Sequence, residues 1–251
     1  MSERFLKNPN LPENKVTAVF SDCDDMTFKT LFDKLSIKVV SVAENKLLDT
    51  PVSKHADILA NYIGKSVFLV YKNQIELCKF IDNNGGKSVI IDNIKSPYPN
   101  DCMLNFADIG DYIICNKSFM TKEIVDLLPN KKIIDVKQGY SKCSVCICKR
   151  NTIITDDISI YSAVSQYDNI KSLLVEKGSI RIDKYEYGFI GGCCGLFDKD
   201  ILFFNGDLST HTNFDKIKDF LYYNEVNYID IKGKPLTDIG SIIPIMEKDG
   251  D

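Results

Sequence analysis

The chain has 251 residues, 44% of them hydrophobic, which is enough for a sizeable core in one domain. Its formal net charge of −4, with almost all basic residues Lys, excludes a strongly basic face for nucleic acid or anionic membrane. No apolar run approaches the ~20 residues of a membrane span, and nine cysteines with no secretion signal point to reduced thiols in a cytoplasmic protein.

In chain order, residues 1–15 carry Pro9 and Pro12 among polar residues and are expected to form a flexible arm. Val16–Ser21 then reads as a strand, and Phe28, Leu31, Phe32 and Leu35 form one helical face. Ile37–Val42 follows as a short apolar strand. The same succession recurs four times, each preceded by a strand pair joined at a turn. The pairs are 57–63 with 66–71, 103–109 with 112–116, 143–148 with 152–155, and 189–197 with 201–205.

Helical faces follow at Ile75/Cys78/Ile81, Met120/Ile124/Leu127/Leu128, Ile158/Tyr161/Val164 and Phe214/Ile217/Leu221. Closing strands follow at 88–92, 132–136, 171–175 and 227–231, and their β-branched runs predict burial on both faces. The first unit lacks one strand, and Leu236–Met246 supplies a strand with no helix after it. The expected architecture is α/β: a five-bladed pseudo-symmetric propeller of ββαβ units over residues 16–246. Pairing of the C-terminal strand with the N-terminal strand would close the ring and remove open edges. Residues 247–251 read as a polar tail.

Five ββαβ units in a closed ring resemble the pentein fold of the guanidino-group-modifying enzymes, among them arginine deiminase, agmatine deiminase and dimethylarginine dimethylaminohydrolase. Within that superfamily, Gln138–Cys146, Tyr187–Gly192 and Asp238–Pro244 are similar to an uncharacterised bacterial branch. The resemblance implies a cysteine nucleophile near the C-terminus. Set against the agmatine deiminase pattern Gly-Gly-Gly-Asn-Ile-His-Cys, this chain has Pro244 at that place, and Pro has neither a nucleophile nor an N–H. No cysteine lies beyond Cys194, and the family's His-x-Asp is replaced by Phe189-Ile190-Gly191-Gly192. The standard mechanism is therefore disfavoured. Some ring-shaped relatives bind ribosomal subunits, which leaves a protein-interaction role open.

In such a ring, polar residues at the starts of the inner strands face the central cavity. They are His55, Asp57, Asp101, Asn105, Lys142, Cys143, Tyr187, Asp238 and Ser241. Carboxylates from three units suit a small cationic guanidine, amidine or amine; capping of strand ends is the alternative use of the same groups. His55 and Asp57 would share a strand face. A relocated thiol, Cys143 or Cys194, would make the chain a cysteine-dependent hydrolase or transferase, with Lys142 lowering the pKa of Cys143. The group Cys143/Cys146/Cys148 with Cys193/Cys194 invites a zinc reading, but strand alternation turns Cys143 away from Cys146 and Cys148 and favours packing. Neither a metal nor a cofactor is expected. His211 reads as a solvated residue at a helix entry, and the sequence leaves any protein partner unidentified.

Overall fold

A computed structural model describes residues 2–22, 25–92 and 98–250. The outer ends of the expected arm and tail, Met1 and Asp251, lie outside these residues. Five small sheets succeed one another along the chain. Four have three strands each: β4 (Ala60–Tyr62), β5 (Val67–Tyr71) and β6 (Lys87–Ile91); β7 (Ala107–Asp108), β8 (Tyr112–Cys115) and β9 (Lys132–Asp135); β10 (Val145–Lys149), β11 (Thr152–Thr155) and β12 (Lys171–Leu174); and β13 (Cys194–Asp198), β14 (Ile201–Phe204) and β15 (Asn227–Asp230). In each, an antiparallel pair is extended by a parallel third strand.

The fifth sheet holds both ends of the chain, in the order β1 (Glu3–Phe5), β16 (Ile243–Lys248), β2 (Val16–Ser21), β3 (Lys38–Ser41). β16 runs antiparallel to β2, with Ile243 opposite Phe20 and Pro244 opposite Val19. Pro244 thus sits in an inner strand although it cannot donate to a ladder. The register shifts immediately after it, between Pro244 and Met246, as a bulge would allow. The strand begins seven residues later than expected, because 236–242 runs as a loop, and it continues to Lys248 through what was read as a tail.

The arm is not loose. β1 pairs with β16, and the buried Glu247 carboxylate accepts from the backbone N–H of Glu13 at 2.6 Å and of Asn14 at 2.9 Å while Arg4 bonds its other oxygen at 3.1 Å. The Tyr62 hydroxyl donates to Leu6 O at 2.5 Å, and Leu6 is itself buried. A carboxylate buried this way is stable only with these partners in place, so the segment is tied to the sheet.

The middle strands β2, β5, β8, β11 and β14 are buried almost throughout. The closing strands are not buried on both faces: β3, β6, β9, β12 and β15 are the outer edges of their sheets and half exposed. Helices α1 (Met26–Leu35), α3 (Ile75–Asn83), α4 (Lys122–Leu127), α5 (Ile158–Val164) and α6 (Phe214–Tyr223) stand between the second and third strand of each unit. α2 is a single turn, Ala56–Leu59, in the second unit. The buried faces depart from expectation in three of them: α4 buries Ile124 alone and exposes Leu127. α3 buries Leu77 and Ile81 and exposes Ile75; α5 buries Ile160 and Val164 and exposes Ile158.

The first and last units meet through aromatic rings. Phe28 stacks on Phe32 with centroids 4.0 Å apart, Phe32 meets Phe197 edge-on at 5.0 Å, and Phe197 stacks on Phe203 at 4.7 Å. Offset and edge-on packing of four buried rings fixes α1 against β13 and β14. Among the described residues no helix is long and apolar enough to cross a membrane.

Candidate functional site

In three units the chain does not enter its first strand directly. Short helical turns, Ala56–Leu59, Cys102–Leu104 and Ile190–Cys193, occupy the ground expected to be strand, and Cys143 lies in the turn before β10. Strand alternation therefore does not set side-chain directions here. His55 caps the Ala56–Leu59 turn and Asp57 lies inside it, so the two do not share a strand face. They meet nonetheless, because the turns deliver His55, Asp57 and Cys143 to one point. Their donor atoms lie within 4.8 Å of one another, and all three residues are buried. This is the one such His/Cys/Asp/Glu group with donors close enough for a metal ion among the described residues.

Hydrogen bonds fix the cluster. The Cys143 thiol donates to Asp57 Oδ2 at 3.1 Å, and Ser241 Oγ donates to the same oxygen at 2.5 Å. Asn105 accepts at Oδ1 from the N–H of Lys142 (2.8 Å) and of Cys143 (3.2 Å) and donates from Nδ2 to Cys143 Sγ at 3.1 Å and Asp57 O at 3.1 Å. Asp238 accepts from the N–H of Phe189 and of Gly240, both at 2.9 Å. Its Oδ1 lies 3.8 Å from His55 Nδ1, an ion-pair distance rather than a hydrogen bond.

Glycines make this density possible. A side chain on Gly192 would overlap the Asp238 carboxylate, one on Gly240 the ring of His55, and one on Gly191 the backbone carbonyls of Lys142, Cys143 and Val145. Gly240 also has a positive φ of 74°, which an L side chain rarely adopts.

Above the cluster opens a cavity of about 510 Å³, within the range of small-molecule sites. His55, Cys143 and Asp238 form its buried floor; Asp101, Tyr140, Tyr187 and Phe189 stand in its wall; Asp49, Tyr98, Tyr185 and Glu186 form an exposed rim. Four carboxylates and five aromatic rings line it, and no Lys or Arg does so among the described residues. The Tyr140 hydroxyl donates to Asp101 Oδ2 at 2.8 Å and the Tyr185 hydroxyl to Asp49 Oδ2 at 3.0 Å. Carboxylates among π-faces attract a cation by charge and by the ring quadrupole together.

Burial raises the carboxyls of Asp101 and Asp238 above the usual range, the Asp57 charge adding to the effect at Asp238. The Cys143 thiol is pushed well above its ordinary value, first by burial and then by Asp57 and Asp238. The expected activation by Lys142 is overturned. Its ammonium bonds Ser241 Oγ at 3.2 Å, and carboxylates are the charged groups that dominate at the sulfur.

Of the residues anticipated, His55, Asp101, Cys143, Tyr187 and Asp238 line the cavity, whereas Asp57, Asn105, Lys142 and Ser241 stand behind it and hold its floor. Cys194 is buried at the start of β13, off the cavity. Cys146 and Cys148 share a strand face with their sulfurs 4.0 Å apart, and Cys193 donates to Ile190 O at 3.2 Å. His211 is buried rather than solvated, its Nδ1 accepting from the N–H of Asn213 at 3.0 Å. The sequence reading missed Gln138, Tyr140 and Phe189, although they lie inside the quoted segments, and it missed Asp49, Tyr98, Tyr185 and Glu186 entirely. The glycines at 188, 191, 192 and 240 were the available signal.

Comparison with other proteins bears on the fold. Residues 21–243 match a profile described as "Family of unknown function (DUF6873)". No curated protein matches the chain. Among solved structures, the inosamine-phosphate amidinotransferase of Streptomyces griseus is similar with TM-score 0.60 and 8% identity, over 98% of each chain. A Cys-to-Ser agmatine deiminase of C. jejuni with substrate bound gives TM-score 0.57 and 10% identity, over 100% of this chain and 98% of that one. A Cys-to-Ser DDAH of Pseudomonas aeruginosa complexed with citrulline gives 0.56 and 7%, over 94% and 100%. All three are pentein-fold proteins, and identities this low establish the fold alone.

Proposed function

Because the chain belongs to the DUF6873 family, whose function is unknown, we propose its role from the site itself: it binds a small organic cation, a guanidine, amidine or amine, without the standard thiol hydrolysis. The observation that carries this is the cavity lining of Asp49, Asp101, Glu186 and Asp238 among five aromatic rings, with no Lys or Arg among the described residues. Burial disfavours the charged forms of Asp101 and Asp238, and a ligand cation would offset that cost. The neighbours named for amidinotransferase and agmatine deiminase activities support the ligand class. Pro244 in β16, where those enzymes are expected to carry a cysteine, supports binding without that chemistry.

In this reading the five sheets are blades around a central axis, closed where β16 pairs with β2, and the cavity is the mouth of that axis. We place the chain in the cytoplasm, consistent with eight unpaired cysteines among the described residues.

A second reading has one observation in its favour. Cys143 Sγ lies on the cavity floor beside His55, so a bound cation could lower the thiol pKa and expose a guanidine carbon to it. Thermal stabilisation by a panel of guanidines and amines tests both. Binding alone predicts stabilisation that Asp238→Asn removes and Cys143→Ser keeps; the enzyme reading requires turnover that Cys143→Ser abolishes. If no compound of the panel shifts the melting temperature, both small-molecule readings fall and a protein partner is the remaining reading.

A further inference from the structure

Asp57 carries an anomaly that the hydrogen-bond network leaves unresolved. Its residue is wholly buried, and its Oδ1 has no hydrogen-bond partner. A buried carboxylate oxygen with no donor is expensive. It sits in a group of unlike donors, the imidazole of His55, the thiol of Cys143 and its own carboxylate, all within 4.8 Å of one another. A fourth donor, Asp238 Oδ1, is 3.8 Å from His55 Nδ1. Against these two buried carboxylates stands the ammonium of Lys142, which bonds Ser241 Oγ at 3.2 Å.

We propose that His55, Asp57 and Cys143, with Asp238 as fourth donor, form a site for a thiophilic divalent metal ion of the zinc class at the cavity floor. Donor chemistry selects the ion. Imidazole and thiolate together favour Zn2+ or Co2+ over Mg2+ and Ca2+, which prefer all-oxygen cages. One nitrogen, one sulfur and two carboxylate oxygens match the four positions of a tetrahedral ion. His55, Asp57 and Cys143 lie in or beside backbone turns whose positions glycines and Asn105 fix, and bringing Asp238 to the same ion requires its carboxylate to give up a hydrogen bond from Phe189 or Gly240. Binding breaks the Cys143 S–H bond. The sulfur lone pair forms the bond to the metal and the proton leaves to solvent; Asp57 Oδ2 keeps the Ser241 hydroxyl as donor, and its unpartnered Oδ1 is the oxygen offered to the metal.

The two readings share Asp238, whose carboxylate lies on the cavity floor; the other metal donors, His55, Asp57 and Cys143, do not depend on the rim carboxylates or the aromatic wall that the organic cation would use. The test takes the full chain, treated with chelator and dialysed, and titrates it with Co2+ alone. The expected result is a near-ultraviolet sulfur-to-cobalt band that saturates at one ion per chain, is displaced by Zn2+ and is unaffected by excess Mg2+. Cys143→Ser should abolish the band, and His55→Ala should weaken the affinity at least ten-fold while leaving the band in place. Far-ultraviolet circular dichroism of each metal-free variant establishes that it is folded; where Cys143→Ser is not, His55→Ala carries the test. Absence of the band, a band that persists in folded Cys143→Ser (which would place the metal on the cysteines of β10 and β13), or unchanged affinity in His55→Ala overturns the proposal. Guanidine binding measured on the same metal-free protein is a separate readout, so failure of one claim is not failure of the other.

Discussion

Asn105 holds Cys143 by both ends of one amide: its Oδ1 accepts from the Cys143 N–H at 3.2 Å and its Nδ2 donates to the Cys143 sulfur at 3.1 Å. A residue of the third unit thereby positions a thiol of the fourth. Asn105→Ala would leave the buried N–H of Cys143 and the carbonyl of Asp57 without partners. Unpaired buried groups cost about 1–3 kcal/mol each, so a loss of roughly 2–4 kcal/mol in unfolding free energy is expected. Urea denaturation measures it, and a change below 0.5 kcal/mol would show that the amide is dispensable.

Gly192 lies against the Asp238 carboxylate so closely that a methyl group cannot be added without moving one of them. Gly192→Ala is expected to displace Asp238 from its hydrogen bonds to Phe189 and Gly240 and to weaken cation binding at least ten-fold. Calorimetric titration with a guanidine ligand measures the effect, and wild-type affinity would contradict the placement of Asp238 at the binding floor.

Asp156 gives a pH dependence. Burial raises its carboxyl to about 7 in the folded chain, partly opposed by the N–H of Ile190 and by Lys177. In the unfolded chain it ionises near pH 4. Between those values the folded state binds more protons than the unfolded, so this group's contribution to stability falls as pH rises from about 4 to about 7 and is level above. Asp156→Asn removes that loss. The variant should melt higher than wild type at pH 8 and lose its advantage at pH 4, as scanning calorimetry at both values would reveal.

The Cys143 thiol, held protonated by burial and two carboxylates, is expected to alkylate slowly at pH 7 in the folded chain. Mass spectrometry after iodoacetamide labelling should find Cys143 modified at least ten-fold more slowly than in denatured protein. Fast, selective labelling would restore the activated thiol that the sequence suggested.

Much of the architecture was legible because apolar spacing reports burial directly. Phe28 and Phe32 identified α1, and the unpaired strand near the C-terminus identified the partner of Val16–Ser21. The site was legible by position but not by geometry. His55, Asp101, Cys143 and Asp238 were found because they stand where units begin. Their directions were misjudged because short helical turns replace strand at 56–59, 102–104 and 190–193. Lys142 misled because a neighbour in sequence need not be a neighbour in charge; its ammonium turns to Ser241 in another unit. Rim residues such as Asp49 and Tyr185 were out of reach, since a pairing across 136 positions leaves no local pattern.

The central claim is that the cavity binds an organic cation. Calorimetric titration of wild type and Asp238→Asn with a guanidine, an alkylamine, and neutral and anionic compounds of matched size tests it most directly. The predicted result is saturable binding of the cations alone, weakened at least ten-fold in Asp238→Asn. Equal binding of the neutral or anionic compounds, or cation binding indifferent to Asp238, would contradict it.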